Sequence, residues 1–114
     1  MSKEDMILIK EGLKLKDSDG TPRVVTLKMN KEAYIGDLYI YFKEKAVDKK
    51  GYHLMDDEVL IDGVMKTLKK MGYKGPVFGR AESGMQENKV VILEPPEEFE
   101  IWADKKFGFI RKDI

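Results

Sequence analysis

Odd-numbered aliphatic residues set against even-numbered lysines near the amino end constrain this chain more than any other feature. Ile7, Ile9, Leu13 and Leu15 share one parity, and Lys10, Lys14 and Lys16 share the other. Side chains of an extended strand point to alternate faces, so the pattern predicts a strand with one buried and one wet side. Gly12 interrupts it, and a bulge or bend is expected there. The run Asp17-Ser18-Asp19-Gly20 then has turn chemistry, because short polar side chains bond their own backbone and glycine accepts positive φ. After Pro22 the alternation resumes, with Val25, Leu27 and Met29 on one side and Thr26 and Lys28 on the other. A β-hairpin follows.

Residues 30 to 46 offer two patterns. Asp37-Leu38-Tyr39-Ile40-Tyr41-Phe42-Lys43 is rich in aromatic and β-branched residues, which favours a third strand. The rival is a helix capped by Asn30, with Ile35, Leu38, Phe42 and Ala46 on one stripe. Gly36 and the Tyr-Ile-Tyr-Phe run weigh against the helix, so the strand is expected, with Tyr39 and Tyr41 opposite Leu38, Ile40 and Phe42.

The clearest helix spans 57 to 71. Leu60, Ile61, Val64, Met65, Leu68 and Met71 form an apolar stripe, and Asp62, Lys66, Lys69 and Lys70 lie opposite. Asp56 or Asp57 suits the amino cap and Gly72 the carboxyl stop. Gly63 costs up to about 1 kcal/mol inside a helix, so a close approach of another element is expected beside it.

Beyond the helix the sequence again reads as strands. A short strand is expected within 76 to 82, and an interior one at 90 to 93 that is apolar on both faces. Pro95-Pro96 ends the latter. Phe99, Ile101 and Ala103 alternate with Glu98, Glu100 and Trp102, which suggests a further strand, a turn at 104 to 106 and a last strand at 107 to 111. The expected fold is therefore α+β, a mainly antiparallel β-sheet of about six or seven strands with one principal amphipathic helix (57–71) packed on it.

Composition bounds the function. The 114 residues suit one domain, 1–114, with 42% hydrophobic residues, enough for a core. Basic and acidic residues number 21 each, so neither a strongly basic nucleic-acid binder nor an acidic tail protein is indicated. The absence of cysteine removes disulfides, thiolate nucleophiles and cysteine metal sites. No apolar run reaches the 7–15 residues of a signal peptide or the roughly 18 of a membrane span. A soluble cytoplasmic protein without membrane contact is expected. The charge-rich, amide-poor composition resembles that of thermophilic proteins, although seven methionines pull the other way.

One surface stands out. Lys10, Lys14, Lys16, Thr26, Lys28, Tyr39, Tyr41 and Lys43 would share the wet face of the first three strands, with Lys14, Lys16, Lys28, Tyr39, Tyr41 and Lys43 as the candidate contacts. Rings among cations are what single-stranded nucleic acid meets on a binding platform. A merely solvated face, with Tyr and Lys as ordinary cross-strand neighbours, is the simpler account. Trp102, on a polar strand face, is a further candidate contact.

Charge is also segregated. Lys66, Lys69, Lys70, Lys74 and Arg80 stand without an acid among them, and Glu94, Glu97, Glu98, Glu100 and Asp104 without a base. Gly79, Arg80, Ser83 and Gly84 form a weak anion-loop candidate, since the spacing fits neither a Walker loop nor a dinucleotide fingerprint. His53 with Asp56, Asp57 and Glu58 lacks the spacing of a zinc motif, so no metal and no cofactor is expected. The first expectation is a small non-enzymatic binding module for a protein partner or a second copy, a homodimer. Single-stranded nucleic acid binding by the Lys/Tyr face comes next, and a small enzyme built on residues 79–84 comes third.

Overall fold

The first hairpin forms as the alternation predicts. A computed structural model of the protein describes residues 6–30, 38–78, 80–82 and 89–107. Strands β1 (Met6–Lys16) and β2 (Pro22–Asn30) pair antiparallel around the 17–21 turn. Strand β3 (Leu38–Phe42) then pairs with β2, which settles the choice between strand and helix for these residues. With β4 (Arg80–Glu82) and β5 (Val90–Glu94) the described residues form a five-stranded antiparallel sheet in the order β1-β2-β3-β5-β4. The fold is α+β, with fewer strands among the described residues than the six or seven expected.

Strand β1 reaches its register through two irregularities. Its pairing advances from Leu8↔Lys28 to Lys10↔Leu27 and then to Leu13↔Val25, gaining one residue on β2 at each step. Gly12 lies in the second, at φ +64°, a conformation other residues rarely adopt. Because the insertions are two, the odd residues return to the core side: Ile9 is buried, and Ile7, Leu13 and Leu15 pack against the core.

Helix α1 (Glu58–Lys70) buries Leu60, Val64, Met65 and Leu68 on the sheet. Asp57 is its cap. One carboxylate oxygen accepts the Leu60 N–H at 2.9 Å, and the other accepts the Ser18 N–H at 3.0 Å and hydroxyl at 2.9 Å. At the far end Gly72, at φ +106°, donates to Lys69 and lets Tyr73 donate back to Leu68, both at 3.0 Å. These two bonds satisfy carbonyls the helix would otherwise leave open. Gly63 is the expected close approach, since a Cβ there would stand 2.9 Å from Cδ2 of Leu15 on β1.

The region after Pro95-Pro96 departs from expectation. Glu97–Phe107 is a second helix, α2, instead of a strand at 98–103 followed by a turn. Of the last strand expected at 107–111, Phe107 belongs to this helix and the rest lies outside the described residues. Two periods fit the sequence here, and burial shows which one prevails. Ile101 is 40% exposed whereas Glu100 is buried, the reverse of what a strand requires. The 99, 102, 103 and 107 spacing instead joins Phe99, Trp102, Ala103 and Phe107 to the core. Glu97 and Glu98 at the amino end and Lys105 and Lys106 at the carboxyl end suit the helix dipole.

A buried ion pair ties the hairpin turn to the segment after β3. Asp17 and Arg23 meet at 2.7 Å with side chains 0% and 11% exposed. Asp17 also accepts the N–H groups of Asp19 and Thr21, and Arg23 donates to the carbonyls of Lys45 and Val47. Burial alone would raise the Asp17 carboxyl. The Arg23 hydrogen bond and charge, with the two backbone N–H groups, outweigh it and hold the carboxyl below its ordinary value.

Three outcomes follow for stability. Asp17→Ala leaves a buried guanidinium unpaired and should cost about 3–5 kcal/mol in urea unfolding. The Asp17 contribution is present above a pH of about 4 and lost as pH falls through the lower folded value, so wild type should lose more stability on acidification than Asp17→Asn does. Gly63→Val should cost about 1–3 kcal/mol, by forcing Leu15 aside.

Candidate functional site

Both helices bury their apolar residues among the odd-numbered residues of β2 and the even-numbered residues of β3, on one face of the sheet. Among the described residues no helix covers the other face. Strand β3 alternates cleanly: Leu38, Ile40 and Phe42 are buried, and Tyr39 and Tyr41 are half-buried on the outer side. Lys28 of β2 stands opposite Tyr39 and Thr26 opposite Tyr41. Lys14 and Lys16 stand opposite Val24 and Pro22. The Lys43 N–H bonds the Val24 carbonyl at 3.0 Å, which carries the same register one step past β3. Six of the candidates read from the sequence therefore share one face, whereas Lys10, shifted by the first bulge to stand opposite the buried Leu27, does not line up with them.

Its centre is a pair of parallel rings. Tyr39 and Tyr41 lie 6.0 Å apart between centroids at an interplanar angle of 14°. The Lys28 ammonium sits 5.5 Å from the Tyr41 centroid, within cation–π range. Burial raises the Tyr41 phenol above its ordinary value, so at neutral pH it is an uncharged ring with a hydroxyl edge. Leu8, 49% exposed, and Val24, 38% exposed, add apolar area on the same side. Neither β2 nor β3 contains an acidic residue, and β1 contains only Glu11. Residues two apart on a strand are about 6.6–6.8 Å apart, so the Lys14/Lys43 row and Lys28 bracket Tyr41 along the strands at roughly 13 Å from each other. A recess of about 150 Å³ between Pro22, Arg23, Val24, Phe42, Lys43 and Glu44 ends this face.

Trp102 does not belong to it. On α2 it packs 5.6 Å from the rings of both Tyr73 and Phe99 and at right angles to Phe107, with Lys106 over its own ring. The strand reading that put Trp102 on a polar face with Glu98 and Glu100 fails because 97–107 is helical. Tyr73 completes this cluster, donating its hydroxyl to the Pro76 carbonyl at 2.6 Å. Of the anion-loop candidates, Arg80 pairs with Glu94 in the β4–β5 ladder, and Gly79, Ser83 and Gly84 lie outside the described residues.

His53 has a structural role that its sequence context did not disclose. Its Nδ1 accepts the Met55 N–H at 3.2 Å, capping a 3-10 turn at Leu54–Asp56. The proton then belongs on Nε2, which reaches the Val90 carbonyl at 3.1 Å. Both ring nitrogens are thus engaged with backbone, and Asp57 is engaged by the helix and Ser18. Among the described residues no three His, Asp or Glu side chains are grouped to hold a metal ion. No described helix is long and apolar enough to cross a membrane. No protein-family model, curated protein or solved structure matches the chain.

Burial raises both Tyr41 and Tyr73, the latter helped by the Glu98 charge. Alkaline titration followed by tyrosinate absorbance should show phenols ionising above the ordinary value of about 10, one fewer in Tyr41→Phe. Because the neutral phenol is favoured in the fold, their contribution to stability is intact below that pH and lost as pH rises beyond it. Purely ordinary titration would contradict the packing of Tyr41 described above.

Proposed function

We propose that this chain is a small non-enzymatic binding module that receives an anionic partner on the outer face of its sheet. The observation that supports the reading is the parallel Tyr39–Tyr41 pair flanked by Lys14, Lys16, Lys28 and Lys43 on a face that no described helix covers. Rings give large contact area at low entropic cost, and cations steer an oppositely charged partner towards them. The non-enzymatic part rests on how the polar groups are used. Among the described residues, His53 and Asp17 are committed to backbone groups or to Arg23, and Asp57 to the helix backbone and Ser18. A chain without cysteine also has no disulfide to lose in the reducing cytoplasm, the compartment this reading assigns it.

A second copy of the chain is a poorer partner for this face. A two-fold interface sets the same patch against itself, so lysines would oppose lysines with no acid on β2 or β3 to offset them. Lateral growth of the sheet is also impeded, since β1 is an edge strand with two bulges and several lysines, and β4 has three residues.

The test is an amide chemical-shift titration of the full chain at low salt, with poly-L-glutamate and with a single-stranded oligonucleotide as anionic probes. At least one should move resonances of β1, β2 and β3, and the triple variant K14E/K28E/K43E should abolish the effect while keeping the fold. Shifts confined to the Lys66–Lys74 end of α1, or no shifts with either probe, would overturn the reading.

A further inference from the structure

Resting on that reading, we infer that the partner is a single-stranded nucleic acid, its bases laid on Tyr39 and Tyr41 and its phosphates met by Lys14, Lys16, Lys28 and Lys43. Three features of the face carry this beyond a general liking for anions.

The first is the pair of rings. An acidic protein segment needs cations, but it gains little from two near-parallel rings whose centroids are 6.0 Å apart. Every nucleobase has a π-face, and stacking on such planes tolerates any sequence. The second is the placement of charge. The cations bracket Tyr41 along the strand direction, with Lys28 level with Tyr39 and 5.5 Å from the Tyr41 centroid, and the Lys14/Lys43 row on the other side of Tyr41. A backbone running from Tyr39 past Tyr41 meets a cation beside the first ring and others beyond the second. The third is shape. In a duplex the bases stack on one another and show only their edges in the grooves, which half-buried tyrosines on a sheet do not enter. A single strand can splay its bases, and a sheet platform of this kind holds about two or three. The zero net charge of the chain adds no overall attraction to that of the lysines, so binding should be modest and strongly dependent on salt.

The experiment uses the full chain and a fluorescein-labelled single-stranded DNA of mixed sequence and about ten nucleotides, read by anisotropy from about 50 to 200 mM salt. With four lysines at phosphates, log affinity should fall against log salt with a slope of about −3. Tyr39→Ile and Tyr41→Ile keep a strand-forming side chain but remove the ring, and each should weaken binding by about five- to a hundredfold. Tyr39→Phe and Tyr41→Phe should stay near wild type, because the plane and not the hydroxyl makes the contact. Thermal melts confirm that each variant is folded.

Equal affinity of wild type and both isoleucine variants would overturn the inference, and so would displacement of the oligonucleotide by an equal charge of poly-L-glutamate. In those cases, or if only poly-L-glutamate shifts the amides of β1–β3, the anion-binding face survives and its nucleic-acid assignment does not. Failure of both probes to bind removes both.

Discussion

The pairing of Asp17 with Arg23 sets the geometry on which the rest of the structure depends. Arg23 occupies the core-side parity of β2, opposite Leu15, where the pattern of the strand would otherwise place an aliphatic residue. Its planar guanidinium reaches one carboxylate and two backbone carbonyls at once, which a lysine ammonium on its flexible stem would not reproduce. The two carbonyls belong to the segment between β3 and α1. Fixing that segment brings Val47 against His53, seats the 3-10 turn, and leads directly into Asp57 and the helix. Asp57 then bonds back to Ser18 in the same turn as Asp17. Turn, loop and helix are thus closed into one ring of polar contacts around the end of the core.

The sheet therefore has two unlike sides. One is occupied by α1 and α2 and by an aromatic cluster of Tyr73, Phe78, Phe99 and Trp102, whose rings meet mostly edge to face. The other carries Tyr39, Tyr41 and the lysines. Half-buried rings there are held by their strand and by the cross-strand neighbour Lys28. Such a surface is already ordered before anything meets it, so a partner loses little of its binding free energy to arranging side chains.

Much of this was legible in the sequence because it rests on period-two alternation. Leu38, Ile40 and Phe42 against Tyr39 and Tyr41 specify both the strand and its orientation, and Lys28 follows from the hairpin register. The 57–71 helix was equally clear, since its stripe is long and fits only one period. The second helix was missed because Phe99, Ile101 and Ala103 satisfy a strand while Phe99, Trp102, Ala103 and Phe107 satisfy a helix. In so short a segment, the acids following Pro95-Pro96 and the lysines at its end were the deciding signals. The roles of Arg23 and His53 were not legible at all. Each also reaches backbone carbonyls more than twenty residues away, a relation that no local pattern encodes.

The paired insertions in β1 carry a consequence for how such a strand can change length. From Ile7 to Leu13 the strand takes six steps while its partner takes four, from Met29 to Val25. An even surplus leaves inside and outside as they were. Loss of a single residue between Lys10 and Leu13 would only remove the second bulge, with Lys10 still opposite Leu27 and Ile7 still opposite Met29. Loss of two at that place would leave the strand one residue short and turn Ile7 towards water. Each bulge is a spare link that the hairpin can shed singly while its core side stays dry.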